Sequence, residues 1–240
     1  NRFTDIREDF ANDSYRSIFF ANKSGLKVMV WLTLAIVGMT LAFSQRLTPY
    51  FLLLLLVGVF YSCKLVPWYR HKRGVVFIRL KEIPFMKNLL VSVFWGLSIF
   101  VVPLLLTTTP LERTRLLPVG MLAVAMMLST LNNTMFCDIL DVEGDRLARN
   151  RTLPVLIGTH FTERLLGLIN AVWYGFVVIL ATHSVLPMRH LVLVGALAMY
   201  PLVYFIPYWR RSLPRPTLEF LCETDLYVFA GGVAILTLLG

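Results

Sequence analysis

The sequence predicts an all-α transmembrane bundle of seven spans, and three observations carry the prediction. Apolar runs recur along the chain, each near the roughly 20 residues that a helix needs to cross the hydrocarbon core. Of the 240 residues, 57% are hydrophobic and only 15% are charged, against about 25% charged in an ordinary soluble domain. The basic residues also gather on one side of the predicted spans. Within a bilayer an open segment must satisfy its own backbone, which a helix does and a lone strand does not.

The runs lie at about 26–44, 48–65, 87–107, 116–137, 164–183, 188–208 and 218–239. Between them there is no low-complexity tract and no Gly/Ser linker, so residues 1–240 read as one integral-membrane domain. With alternating spans, all but four of the 23 lysines and arginines share one face; the exceptions are Arg46, Arg113, Arg115 and Arg189. That asymmetry places the basic face in the cytoplasm or its equivalent. It accounts for most of the net charge of +9, with a contribution to binding anionic lipid or phosphate, and so argues against a nucleic-acid partner. Cys63, Cys137 and Cys222 are scattered and show neither disulfide nor metal-thiolate spacing. They read as small apolar residues at helix ends.

Two acidic clusters interrupt the apolar pattern. Both fall on the basic face, because four spans separate them and an even number returns the chain to its starting side. The first holds Asp5, Glu8, Asp9 and Asp13. The second holds Asp138, Asp141, Glu143 and Asp145, within DILDVEGDRLARNRTLPV (138–155). Asn1, Asp5, Asp9 and Asp13 stand four apart, and Asp138, Asp141 and Asp145 follow an i, i+3, i+7 pattern. Each set therefore lines one face of a helix. Carboxylates this close repel one another and are costly near lipid, so a positive partner belongs among them. Hard divalent cations such as Mg²⁺ take carboxylate oxygens, keep several waters and complete their shell with phosphate. Two facing columns with Mg²⁺ between them make a diphosphate clamp. The plainer reading is a solvated loop, in which Arg146, Arg149 and Arg151 pair with Asp141 and Asp145 as surface ion pairs of little worth. Spacing alone leaves both open.

Between the second and third spans, YSCKLVPWYRHKRGVVFIRLKEIPFMKN (61–88) interleaves seven basic residues with aromatic and apolar ones. It reads as an interfacial cap whose cations, with Lys64, Arg70, Arg79 and Lys81 as candidates, meet a phosphate. The structural alternative is a positive-inside anchor. Glu223 and Asp225 lie near the start of the last span, where an acid is a functional candidate by default. His71, His160, His183 and His190 have no Ser or Cys placed for nucleophilic catalysis and read as interface or loop residues.

DVEGDRLARNRTLPVLIG (141–158) resembles the second aspartate-rich motif of the UbiA-type membrane prenyltransferases. Its wording is nearest to the branch of chlorophyll synthases and digeranylgeranylglyceryl phosphate synthases. NRFTDIRED at the start resembles the family's first motif, Asn-Asp-x-x-Asp-x-x-x-Asp, and Tyr61-Ser62 with RLKEIPFMKN resemble the connecting loop. The likeness runs along essentially the whole chain. It implies nine transmembrane helices with the first motif at the end of the second, so that a chain starting in that motif lacks two and keeps seven.

The resemblance also implies a Mg²⁺-dependent transferase. Asn1, Asp5 and Asp9 would serve one metal, and Asp138, Asp141 and Asp145 the other. The metals would hold an isoprenyl diphosphate, whose ionisation gives an allylic cation that a lipophilic acceptor attacks (aromatic, tetrapyrrole or glycerol phosphate). Asp5, Asp9, Asp141 and Asp145 would be its catalytic carboxylates. Arg2, Tyr61, Lys64, Arg79, Lys81 and Arg146 would contact the diphosphate, and the spans would hold the isoprenoid tail. Two departures stand out. Arg2 occupies the usual place of the first aspartate, and YRSIFFANKSG replaces the Arg-Pro-x-Pro-Ser-Gly run that often follows.

Other classes fit less well. The CDP-alcohol phosphotransferases follow Asp-x-x-Asp-Gly-x-x-Ala-Arg, but here Val142 follows Asp141 and 156–183 contains no aspartate. A non-enzymatic seven-helix carrier or receptor is the second alternative. Carriers place polar residues near the bilayer midplane, whereas these acids sit at its edge. A catalytically inactive family member is the third, since Arg2 breaks the pattern.

Overall fold

The computed structural model describes residues 32–34, 36–38, 45–70, 74–106, 113–147 and 150–239. Its contacts divide the chain into two compact units, Asn1–Lys87 with Asp141–Leu156, and Asn88–Leu140 with Ile157–Gly240. Five described helical segments are long and apolar enough to cross a membrane: Gln45–Ser62, Met86–Leu106, Leu116–Leu140, Thr159–Thr182 and Met188–Trp209. They match five of the seven expected spans, and most of the expected span at 26–44 lies outside the described residues.

In the first unit a short 3-10 turn, Gln45–Leu47, leads into α1 (Thr48–Ser62). Pro49 is tolerated in its first turn, where the missing N–H has no helical partner anyway. The helix is apolar all round, with Leu52, Leu53, Leu55 and Leu56 exposed, as a helix that meets lipid should be. Next comes an antiparallel hairpin of β1 (Val66–Arg70) and β2 (Gly74–Ile78), in register from Val66 opposite Ile78 to Arg70 opposite Gly74. Gly74 has a positive φ of 68°, a conformation that costs glycine little. The segment 61–88, read from sequence as a basic cap in an all-α protein, thus contains the only strands among the described residues. Its Leu80–Glu82 turn packs against α1.

The second unit contains α2 (Met86–Leu106, from Asn88 onward) and α3 (Arg113–Leu140). The two come close at Gly96. A Cβ there would stand 2.9 Å from the Ala123 carbonyl oxygen and 3.0 Å from the Met127 Cβ. Small residues allow such backbone contact between membrane helices. After the short helices α4 (Val142–Leu147) and α5 (Leu153–Ile157) comes α6 (Thr159–Thr182), followed by α7 (Met188–Met199) and α8 (Pro201–Trp209). The last two are one span interrupted where Pro201 has no N–H to donate. Met121 and Ala125 of α3, Trp173 and Leu180 of α6, and Val194, Leu197 and Ala198 of α7 form a common core.

Helix α3 and the α7–α8 span are the most enclosed of the five. Protein buries 50% of the apolar stretch of α3 and 44% of that of α7–α8, against 22% for α6 and 11% for α2. It is joined to α6 by a hydrogen bond from Asn170 Nδ2 to Asn132 Oδ1, 2.6 Å long and buried.

The expected span at 218–239 is not one helix. It is α9 (Arg215–Glu223) and α10 (Asp225–Leu239), broken at Thr224. The reason lies on α7–α8: the Tyr200 hydroxyl donates to the Leu221 carbonyl at 2.6 Å and also meets the Thr224 hydroxyl. A broken helix is stable within a membrane only where neighbours satisfy the freed backbone groups, as Tyr200 does here.

Gly96 provides a direct test of the packing. Replacing it with alanine should force α2 and α3 apart and lower stability by about 1–3 kcal/mol, the usual cost of overpacking. Gly96→Leu should cost more. Thermal melting of detergent-solubilised protein reads both, and an unchanged midpoint for Gly96→Leu would contradict the close approach.

Candidate functional site

The first acidic cluster lies outside the described residues, and with it the expected ligands Asn1, Arg2, Asp5 and Asp9. The second cluster is described, and two of its four acids are buried. Asp138, in the last turn of α3, is only 3% exposed, and Asp145 in α4 only 2%. Asp141 is half-buried at the break between the two helices. Its carbonyl accepts the Asp145 backbone N–H at 2.9 Å, so a helical hydrogen bond bridges the two motif aspartates.

Each buried carboxylate is oriented by neutral donors. In the second unit, Asn88 Nδ2 donates to Asp138 Oδ2 at 2.9 Å, and both residues are buried. In the first unit, Asn150 Nδ2 donates to Asp145 Oδ1 at 3.1 Å and the Thr152 hydroxyl to Oδ2 at 2.9 Å. The Asn150 backbone N–H closes the loop onto the Asp145 carbonyl at 2.8 Å. Asn150 and Thr152, five and seven residues on, therefore fix the Asp145 carboxylate with their own polar side chains. Hydrogen bonds of this kind repay the cost of burying a carboxylate and hold its direction.

The basic candidates are placed differently. Arg146 is exposed and pairs with Glu143 at 3.5 Å, on the solvent side of α4. Arg79 donates to Glu82 at 2.6 Å beside the hairpin. Tyr61 and Lys81 are half-buried, and Lys64 is exposed just beyond α1. Arg151 is exposed, and Arg149 lies outside the described residues. Among the described residues no three His, Cys, Asp or Glu side chains come together as a metal cage.

A second polar group lies inside the second unit, and of its members the sequence pointed only to Asp225. This acid, at the start of α10, is only 4% exposed and accepts from Ser129 at 3.1 Å and Asn133 at 3.3 Å, both on α3. The helix break at Thr224 puts it at a helix N-terminus, where the backbone dipole favours negative charge. Cys137 and Cys222, 85 residues apart, come within 3.7 Å Sγ to Sγ, and Cys222 also meets Asn133. The only sequence signal for these contacts was the i, i+4, i+8 spacing of Ser129, Asn133 and Cys137 on one face of α3.

Removing Asn88 should take a hydrogen bond from the buried Asp138 carboxylate. Asn88→Leu is expected to cost about 1–3 kcal/mol, read as a lower melting midpoint, with Asn88→Gln less damaging. Equal midpoints for all three proteins would contradict the buried contact.

The UbiA prenyltransferase family matches residues 1–222. Comparison with curated proteins and with solved structures gives no match. The match covers the span-rich region and both aspartate-containing segments, and five described helices are fit to cross a bilayer. The chain therefore belongs to the UbiA prenyltransferase family: it is an integral-membrane prenyltransferase.

Proposed function

We propose that this enzyme transfers an isoprenyl group from a prenyl diphosphate to a lipophilic acceptor of the aromatic, tetrapyrrole or glycerol-phosphate kind, at the cytoplasmic, positively charged face of the membrane. The observation that supports the reading is that two carboxylates of the second motif, Asp138 and Asp145, are each buried and oriented within their own unit. Burial of an acid is costly, and a cluster of them at a membrane edge is retained where a cation is to be held.

The donor set suits Mg²⁺, because the motif offers carboxylate oxygens and that ion prefers hard oxygen ligands alongside water and phosphate. Asp138, Asp141 and Asp145, with Asn1, Asp5 and Asp9 from the first motif, would hold it. Bound there, the metal supplies charge stabilisation to the departing diphosphate. The protein's own residues do the rest. Asn88, Asn150 and Thr152 hold the carboxylates in place without carrying charge themselves. Arg2, Tyr61, Lys64 and Lys81 are the diphosphate contacts in this reading. Arg79 and Arg146 join them by exchanging Glu82 and Glu143 for phosphate. The apolar spans accommodate the isoprenoid tail, and a water-poor interior protects the allylic cation from hydrolysis.

Two sets of variants test the assignment, using full chain in membranes. Asp141→Asn and Asp145→Asn should each lower turnover by orders of magnitude while leaving insertion intact. Unchanged turnover in both would remove the carboxylate clamp. The double variant Asn150→Ala/Thr152→Val retains every carboxylate but loses the donors to Asp145. It should lower turnover about 10- to 100-fold, the usual effect of losing groups that orient a metal ligand, and higher Mg²⁺ should recover part of it.

A further inference from the structure

We infer that the β1–β2 hairpin is a lipid-docking element whose outer face rests on an anionic bilayer surface. The register defines two faces. Val66, Trp68, Val76 and Ile78 share one, and all but Trp68 are half-buried. Pro67, Tyr69, Val75 and Phe77 share the other, and every one of them is exposed, Tyr69 by 71%, Val75 by 63% and Phe77 by 60%. A two-stranded hairpin is marginal in water on its own, and an uncovered apolar strand face there invites aggregation.

Its place in the chain says what covers that face. Only Cys63, Lys64 and Leu65 separate α1 from β1, a tether of at most about 10 Å. Seven residues after β2 the next membrane-length helix begins at Met86. The hairpin is thus held close to the membrane surface at both ends. Charge points the same way. Lys64, Arg70, Lys72, Arg73, Arg79, Lys81 and Lys87 crowd the segment 61–88, and Glu82 is its one acid. A basic element with tyrosine, tryptophan and phenylalanine fits the headgroup layer, where aromatic rings settle and anionic lipids attract cations. A second copy of the chain is the poorer occupant, because a face of four side chains is far smaller than the roughly 20–30 residues a side of a stable protein interface.

The test uses the full chain in lipid nanodiscs of phosphatidylcholine, with or without phosphatidylglycerol. Tyr69→Cys and Phe77→Cys, in a background with the native cysteines replaced by serine, carry an environment-sensitive fluorophore. Brominated acyl chains should quench both labels, by about twofold or more in anionic discs. Substituting Lys64, Arg70, Lys72 and Arg73 with glutamine should abolish the difference between the two lipids. Absence of bromolipid quenching in anionic discs would overturn the proposal, as would equal quenching in both, or energy transfer showing two copies paired through the label sites. If the cysteine-free background does not fold, hydrogen exchange on the unmodified protein replaces it. Slower exchange of 66–78 in anionic discs supports docking, and equal exchange in the two contradicts it.

Discussion

Helices already in lipid gain little by burying apolar surface against one another, so polar contacts and close packing must hold them together. In this protein that duty falls on α3. Asn132 binds Asn170 of α6, Ser129 and Asn133 bind Asp225 of α10, and Asp138 binds Asn88 of α2. Gly96 lets α2 lie directly on its backbone. One helix thus anchors three neighbours, and each contact uses a side chain that would be costly to leave unpaired in hydrocarbon.

The same arrangement fixes the start of the second motif. Asp138 ends a helix that is fixed along its length, and Asn88 holds its carboxylate from the side. Asp145 is fixed by a different device, the hydrogen bonds of Asn150 and Thr152. The proposed chemistry asks for carboxylates whose direction is set before substrate arrives, since orientation established in advance costs nothing during reaction. Surface pairing of the motif's acids with nearby arginines accounts for Glu143 and Arg146, both exposed. Asp138 and Asp145, by contrast, are buried.

Hydropathy was legible because it depends on runs of residues: five expected spans coincide with described helices. The break at Thr224 was not legible, since a window average sees Leu, Cys, Tyr and Val but not a tyrosine hydroxyl 21 residues upstream that takes the Leu221 carbonyl. The hairpin left a weak trace in VPWYR and GVVFI, both rich in β-branched or aromatic residues. The intervening HKR has none of the usual Asn-Gly signal, and the interleaved charges read more simply as an interfacial loop. The motif aspartates were legible from spacing and from the family resemblance. Their partners were not, since Asn88 is 50 residues from Asp138 and the contact exists only once α2 and α3 pack. The meeting of Cys137 with Cys222 is likewise a product of tertiary structure.

The most direct measurement is diphosphate release by the full chain in purified membranes, from geranylgeranyl and farnesyl diphosphates, with and without Mg²⁺, across a small panel of lipophilic acceptors. Prenyl transfer through an oriented carboxylate site predicts release that requires both Mg²⁺ and one class of acceptor. Release indifferent to Mg²⁺, or none with any donor from a protein that is folded and inserted, would contradict it.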